Sequence, residues 1–466
     1  MPEVIRRGAV FGALLAVLGT LGTAVPSQAS ATPPTACPPT LAGKATCYTG
    51  QDANGAYYTM AVPKRWNRAL VVHAHGGPTA SIDPSDTTKD LAEWAVMVQE
   101  GYAWAASSYR RGGYGVRMAA ADTDTVRRLF VERFGRPDRT YVHGQSFGGN
   151  VAAKIAETYG RERGAYDGVL LTSGLLAGGS RGYDHRVDLR VVYQYYCRNL
   201  PRPTEPQYPL WQGLPADSTL TPDDVLARLE ECTGIGSANR TPSQQRNLDD
   251  ITAVTGIPER SLPTHLQYAT FLFQDIAVNR LGGRNPFATQ GVRYTGSHDD
   301  SALNAGVARF AADPTARRDL SYDSDLTGQV SLPVLTLHAI DDPSVFVEHE
   351  AAYRATLHGA GRDSHLVQTF TREAGHDGLS VSEYATSIAA LDDWVRTGRK
   401  PAPSSIAESC GAFDRTYEGG CFYDPGYRPS AYCSRVRPRP GGAGWPAMTA
   451  AQERTWSRID GVGIAP

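Results

Sequence analysis

Between residues 68 and 172 short apolar strands alternate with amphipathic helices, and between 333 and 397 the same alternation resumes. The strands are read at 68–74 (Arg-Ala-Leu-Val-Val-His-Ala), 102–107, 140–143 and 168–172, then at 333–338 and 366–371. Helices are read at 86–100, 118–134 and 147–159, then at 347–358 and 380–397. Leu91, Trp94, Ala95 and Val98 fall on one face of the first helix; Val126, Leu129, Phe130 and Phe134 stripe the second. Strands apolar on both faces and separated by helices predict a mostly parallel sheet with helices on both sides, an α/β fold. Residues 175–329 break the alternation with short helices, Pro-rich loops and many aromatics (Tyr193, Tyr195, Tyr196, Tyr208, Trp211, Tyr268, Phe271, Phe273). A mainly helical insertion is therefore expected to leave one sheet at the end of a strand, where it can roof a site.

The 466 residues are 41% hydrophobic and 20% charged, with a formal net charge of −2. That hydrophobicity excludes disorder for most of the chain. The charge balance argues against a nucleic-acid partner, which would need a basic surface. At the N-terminus Arg6 and Arg7 precede an apolar run from Ala9 to Val25, followed by small residues around Ala29. This is the pattern of a cleaved secretory signal peptide, residues 1–29. Its loss removes Glu3, Arg6 and Arg7 and moves the charge from −2 to −3. No other stretch is apolar enough to span a membrane, so the mature chain is expected to be secreted, without stable membrane association.

Export permits disulfides. Of seven cysteines, local pairing would join Cys37 to Cys47 and Cys197 to Cys232; Cys410, Cys421 and Cys433 leave one bond and one orphan. None forms a CxxC pair, so a zinc site is not expected; no cofactor or other metal is expected either. Pro-Ala-Pro-Ser-Ser at 401–405 reads as a linker, 410–433 as a small disulfide-tied appendage, and Thr449 to Gln452 as the capping box of a last short helix.

One motif carries chemistry. Gly144-Gln145-Ser146-Phe147-Gly148 is a GxSxG lying between a predicted strand and a predicted helix. In that setting it is a nucleophile elbow, a turn so tight that a Cβ at either glycine would collide with neighbouring backbone. A serine hydroxyl also needs a base, and the base needs an orienting acid.

The His75-Gly76-Gly77-Pro78 loop, the elbow at Ser146 and the later Asp342 and His376 resemble the α/β-hydrolases, over about residues 66–175 and 330–398. The resemblance implies the chain order serine, acid, histidine. The acid then follows the strand 333–338, in Ala339-Ile340-Asp341-Asp342-Pro343, which is similar to the family's strand-G-x-x-D-P with Ala339 in place of Gly. Asp342 holds the acid position and Asp341 is the alternative. His349, His358, His365 and His376 qualify as the base by order; only His376 lies in a loop opening at the sheet's carboxyl edge. The oxyanion hole is expected from the backbone N–H of Phe147 and that of Gly77, with Gly76 next; Pro78 has none.

The reading divides the chain into a signal peptide (1–29), the first part of the hydrolase core (30–174), a cap (175–329), the second part of the core (330–400) and a Cys-containing extension (401–466). Segments at His75–Pro78, Gly101-Tyr102 and Ser108–Tyr114 are also similar to the catalytic domain of prolyl-oligopeptidase-type peptidases. Few residues precede the first strand read, so the propeller those peptidases carry is not expected here. The leading expectation is a secreted serine esterase acting on a small-molecule ester. The alternative is an exopeptidase or amidase with the same triad and a short peptide substrate. That alternative would need a subsite for a free amine, for which Glu230-Glu231 and Asp299-Asp300 are the acidic pairs available.

Overall fold

Eight strands form one sheet in the computed structural model, which describes residues 33–79, 81–437 and 439. They are β1 (Ala45–Gln51), β2 (Tyr57–Pro63), β3 (Ala69–Ala74), β4 (Ala103–Ser107), β5 (Arg139–Gln145), β6 (Gly168–Thr172), β7 (Val334–Ala339) and β8 (Leu366–Thr371). Their order is β1-β2-β4-β3-β5-β6-β7-β8, antiparallel at β1–β2–β4 and parallel from β4 to β8. The fold is the α/β-hydrolase fold.

The strand period sorts each side chain to a face. Leu70 and Val72 of β3 join a core with Val116 and Phe130 of α3 (Val116–Phe134) and Val151 of α4 (Phe147–Thr158). Ala69 and Val71 join the opposite core, with Leu91 of α1 (Asp86–Glu93) and Val98 of α2 (Ala95–Gln99). The helix expected at 86–100 is thus two, interrupted at Trp94, whose ring packs on His73 at 4.1 Å between centroids.

Between β6 and β7 the chain is mainly helical. It includes α5 (Asp184–Cys197), α6 (Pro222–Thr233), α7 (Pro242–Thr255), α8 (Leu262–Gln267) and α9 (Pro314–Ser324). The α6 and α7 helices each start with a threonine capping box and a proline, at Thr221 and Thr241, which satisfies free N–H groups of the first turn. Leu189, Val192, Tyr193, Leu229, Ile251 and Leu266 form a separate core here. Most of the region's aromatics serve such packing; Phe273, for example, stacks on Phe287 at 4.3 Å.

Two sequence expectations need correction. The strand read as first is third, because β1 and β2 precede it. The linker read at 401–405 opens a helix, Pro403–Tyr417, with Pro403 in its first turn, where a missing N–H costs nothing. The disulfides are Cys37–Cys47, Cys197–Cys232 and Cys410–Cys421, and Cys433 is free and exposed. Among the described residues no helix is long and apolar enough to cross a membrane. The signal peptide read at 1–29 and the capping box at Thr449 lie outside the described residues.

Candidate active site

The strand β5 runs straight into Ser146, and α4 begins at the next residue. Ser146 has φ +59° and ψ −124°, a conformation a non-glycine residue holds only when its surroundings impose it. Here the Ser146 N–H donates to the Thr172 carbonyl at 3.1 Å, and its carbonyl accepts from the N–H groups of Gly149 (3.1 Å) and Leu175 (3.0 Å). The flanking glycines let the backbone close up. A Cβ on Gly144 would lie 2.1 Å from the Gly148 carbonyl oxygen, and one on Gly148 would lie 2.1 Å from that of Ala74. Gly148→Ala is therefore expected to destabilise the fold by about 3 kcal/mol, since backbone must shift to admit the methyl. Denaturant unfolding checks this; a loss below about 0.5 kcal/mol, the range of an ordinary surface change, would contradict it.

Beyond the end of β7 the chain turns through Asp341, which is exposed, to Asp342, which is buried. Asp342 Oδ1 accepts from the N–H groups of Ser344 (2.8 Å) and Val345 (2.9 Å), and Oδ2 lies 2.7 Å from His376 Nδ1. His376 sits in the loop after β8. Burial alone would raise the Asp342 carboxyl, but the His376 charge and hydrogen bonds from His338 and His376 hold it well below its ordinary value. Burial pushes the His376 imidazole down, and Asp342 overcomes this to raise it above its ordinary 6.5.

Sequence reasoning missed the groups behind this pair. His338, the penultimate residue of β7, lies 3.5 Å from Asp342 Oδ2; its Nε2 donates to the Val345 carbonyl at 2.9 Å and its Nδ1 meets Glu350 at 3.3 Å. Despite the cost of burial, these two carboxylates push the His338 imidazole up to about 10, so a cation backs the aspartate. Gln145, an unspecified position of the elbow motif, ties the elbow to the histidine loop. Its Nε2 donates to Asp377 Oδ1 at 3.2 Å, while its Oε1 accepts from the Thr172 hydroxyl (3.3 Å) and that of Tyr384. No sequence pattern marks either residue: Gln145 acts through partners distant in the chain, and His338, though close in sequence to Asp342 and Glu350, meets them only because the loop after β7 folds back on the strand.

The His75–Pro78 loop leaves the end of β3. Tyr109 donates its hydroxyl to the His75 carbonyl at 2.7 Å, and His75 Nδ1 lies 2.8 Å from Asp90. Gly76, Gly77, Ser146, Phe147 and His376 all line one cleft of about 720 Å³. Tyr183, Arg186, Thr264 and Tyr268, from the region between β6 and β7, line it too. Of the aromatics singled out in the sequence, Tyr268 alone reaches this wall; Tyr183 was not among them. Among the described residues Ser146 and His376 share no direct hydrogen bond, a contact that in such sites often tightens only with substrate bound. The other histidines lie elsewhere. His349 is buried and accepts the Ala177 N–H at 3.1 Å, His358 pairs with Asp363 at 3.1 Å on the surface, and His365 ends a short turn before β8.

Fold and cleft together define a protein of the α/β-hydrolase class. The chain belongs to the Tannase-like family of unknown function (DUF6351), whose profile matches residues 51–295. No curated protein matches the sequence. Among solved structures it is similar to feruloyl esterase B from Aspergillus oryzae, with 13% identity over 77% of this chain and 81% of that one, and a TM-score of 0.45. It is also similar to tannin acyl hydrolase from Aspergillus niger, with 12% identity over 77% and 79% and a TM-score of 0.41.

Proposed function

We propose that this protein is a secreted serine hydrolase that cleaves carboxylic esters through an acyl-enzyme. The observation that carries the reading is one cleft lined by both a strained Ser146 and His376, whose Nδ1 lies 2.7 Å from Asp342. Ser146 Oγ attacks the ester carbonyl while His376 Nε2 accepts the hydroxyl proton. His376 Nδ1–H donates to Asp342, which fixes the tautomer and stabilises the imidazolium. The N–H groups of Phe147 and Gly77 bind the oxyanion; that of Phe147, in the first turn of α4, has no acceptor within the helix. The tetrahedral intermediate collapses, the proton passes from His376 to the departing alkoxide, and the alcohol leaves. Water then gives a proton to His376 and its oxygen to the acyl carbon. The second collapse returns the proton to Ser146 and releases the acid.

The region at 175–329 acts as the cap, contributing Tyr183, Arg186, Thr264 and Tyr268 to the wall. Membership of a Tannase-like family supports esters over amides as substrates. One residue of each acidic pair weighed for a peptide's amine is engaged elsewhere: Glu231 pairs with Arg202 at 2.5 Å, and Asp299 caps the helix Asp300–Gly306. Three disulfides and the signal-peptide pattern support an extracellular location. The test compares para-nitrophenyl esters with aminoacyl anilides and maps a fluorophosphonate label by mass spectrometry. Ester turnover with the label on Ser146 is expected. Anilide turnover of equal efficiency would favour the amidase, and a label on another residue would overturn the assignment.

A further inference from the structure

The cleft holds a charge that ester hydrolysis does not require. Arg186, on α5, is 4% exposed and is, among the described residues, the one lysine or arginine on the cleft wall. Its Nε donates to His265 Nδ1 at 3.2 Å and its Nη2 to the Ser344 carbonyl at 3.2 Å. His265 in turn donates Nε2–H to the Pro343 carbonyl at 2.7 Å, so its Nδ1 is a neutral acceptor. Burial and the neighbouring guanidinium push that imidazole down to about 3, which keeps it neutral. The guanidinium lies over two rings, 5.1 Å from the centroid of Tyr183 and 4.8 Å from that of Tyr268. Of five N–H bonds two are used, and three meet no protein acceptor among the described residues.

A guanidinium taken out of water without a carboxylate partner costs several kcal/mol. Arg186 forms no ion pair with any described carboxylate. The anion acting on it is Asp342, whose oxygens are committed to Ser344, Val345 and His376. The other carboxylates on the wall do not supply the partner. Asp90 is paired with His75 at 2.8 Å, while Glu93 and Asp377 stand at the exposed rim, where each raises the cost of an anion. Among the described residues the one lysine or arginine of the wall thus stands apart from its carboxyl groups, among which burial and the neighbouring carboxylates push Glu93 up to about 7.

Resting on the ester-hydrolase reading, we propose that Arg186 is a specificity determinant that receives a carboxylate of the substrate, so that the preferred esters carry a free carboxyl group on the acyl or the alcohol side. The free N–H bonds form a fork matched to two carboxylate oxygens, and the flanking tyrosines fix its plane. Where that carboxylate is borne on an aromatic ring, the same tyrosines offer the ring apolar faces.

The test pairs each carboxylated ester with an amide twin of nearly the same shape. On the alcohol side the pair is para-carboxyphenyl butyrate and para-carbamoylphenyl butyrate; on the acyl side it is the monophenyl ester of glutaric acid and its terminal amide. Binding to the full-length Ser146→Ala protein is measured by calorimetry, so the result does not depend on turnover. One of the carboxylates is expected to bind at least about tenfold tighter than its twin, as a charge-assisted hydrogen-bonded pair should. Which pair responds tells the acyl from the alcohol side. In Ser146→Ala/Arg186→Gln the preference should fall to near unity with amide binding little changed, and Arg186→Lys, which keeps the charge without the fork, should retain part of it. Equal binding of the twins to the Arg186-containing protein in both pairs overturns the proposal, whatever the variants do. So does an Arg186→Gln variant that weakens carboxylate and amide alike, which would make the residue a prop for the Ser344 loop. Failure of the ester reading appears separately, as absence of turnover and of label on Ser146.

Discussion

Ser146→Ala is expected to lower kcat/KM for aryl esters by at least about three powers of ten, because residues of a triad act as a unit and the loss of one costs several orders of magnitude. The fold should survive. The elbow is held by backbone bonds to Thr172, Gly149 and Leu175, none of which uses the serine hydroxyl. Steady-state rates with circular dichroism on the same sample check both halves. Residual activity above about a percent, or protein that no longer unfolds cooperatively, would assign the chemistry or the structural role differently.

Asp342→Asn is expected to cost about four powers of ten in kcat, and Asp341→Asn next to nothing, although the two are adjacent in sequence. Asp342 is buried against His376 at 2.7 Å, whereas Asp341 faces solvent. An asparagine amide cannot hold the Nδ1–H tautomer while stabilising an imidazolium. The pH profile separates this role from simple damage. His376 must be neutral to accept the serine proton, so activity falls as pH drops through its pKa. That pKa is raised in the native protein because Asp342 outweighs burial, which places the acid limb above 6.5. In Asp342→Asn burial remains and the favourable charge is gone, so the residual activity should show its acid limb at lower pH. An unmoved limb, or equal effects of the two substitutions, would remove Asp342 from the site.

The parts of the site that could be read from the sequence are those set by local chemistry. The elbow is local: a strand, two glycines and a helix within a few residues dictate the turn, and the close carbonyls at Gly144 and Gly148 are why no other residue fits. The parallel strands were legible because both faces are buried, leaving continuous apolar runs. The β1 and β2 strands were not. The first lies at the sheet edge with a single buried residue, Cys47, so Ala45–Gln51 carries little apolar signal. The helix Pro403–Tyr417 was hidden by its own start, since Pro-Ala-Pro-Ser-Ser has the composition of a linker and only its position makes Pro403 a helix-opening residue.

By itself the sequence determined the succession of parallel strands from β3 to β8, the place where the sheet is interrupted, and the one serine set in an elbow, because each depends on side-chain pattern within a few turns of chain. Tertiary structure decided which aspartate of an adjacent pair faces His376, that His338 and Glu350 stand behind it, that Gln145 links the elbow to the histidine loop, and that Arg186 is carried into the cleft. Most of those relations join residues far apart in the chain, such as Gln145 with Asp377 and Arg186 with Ser344. Their energies come from burial and hydrogen bonding that exist only once the sheet has brought the loops at its carboxyl edge together.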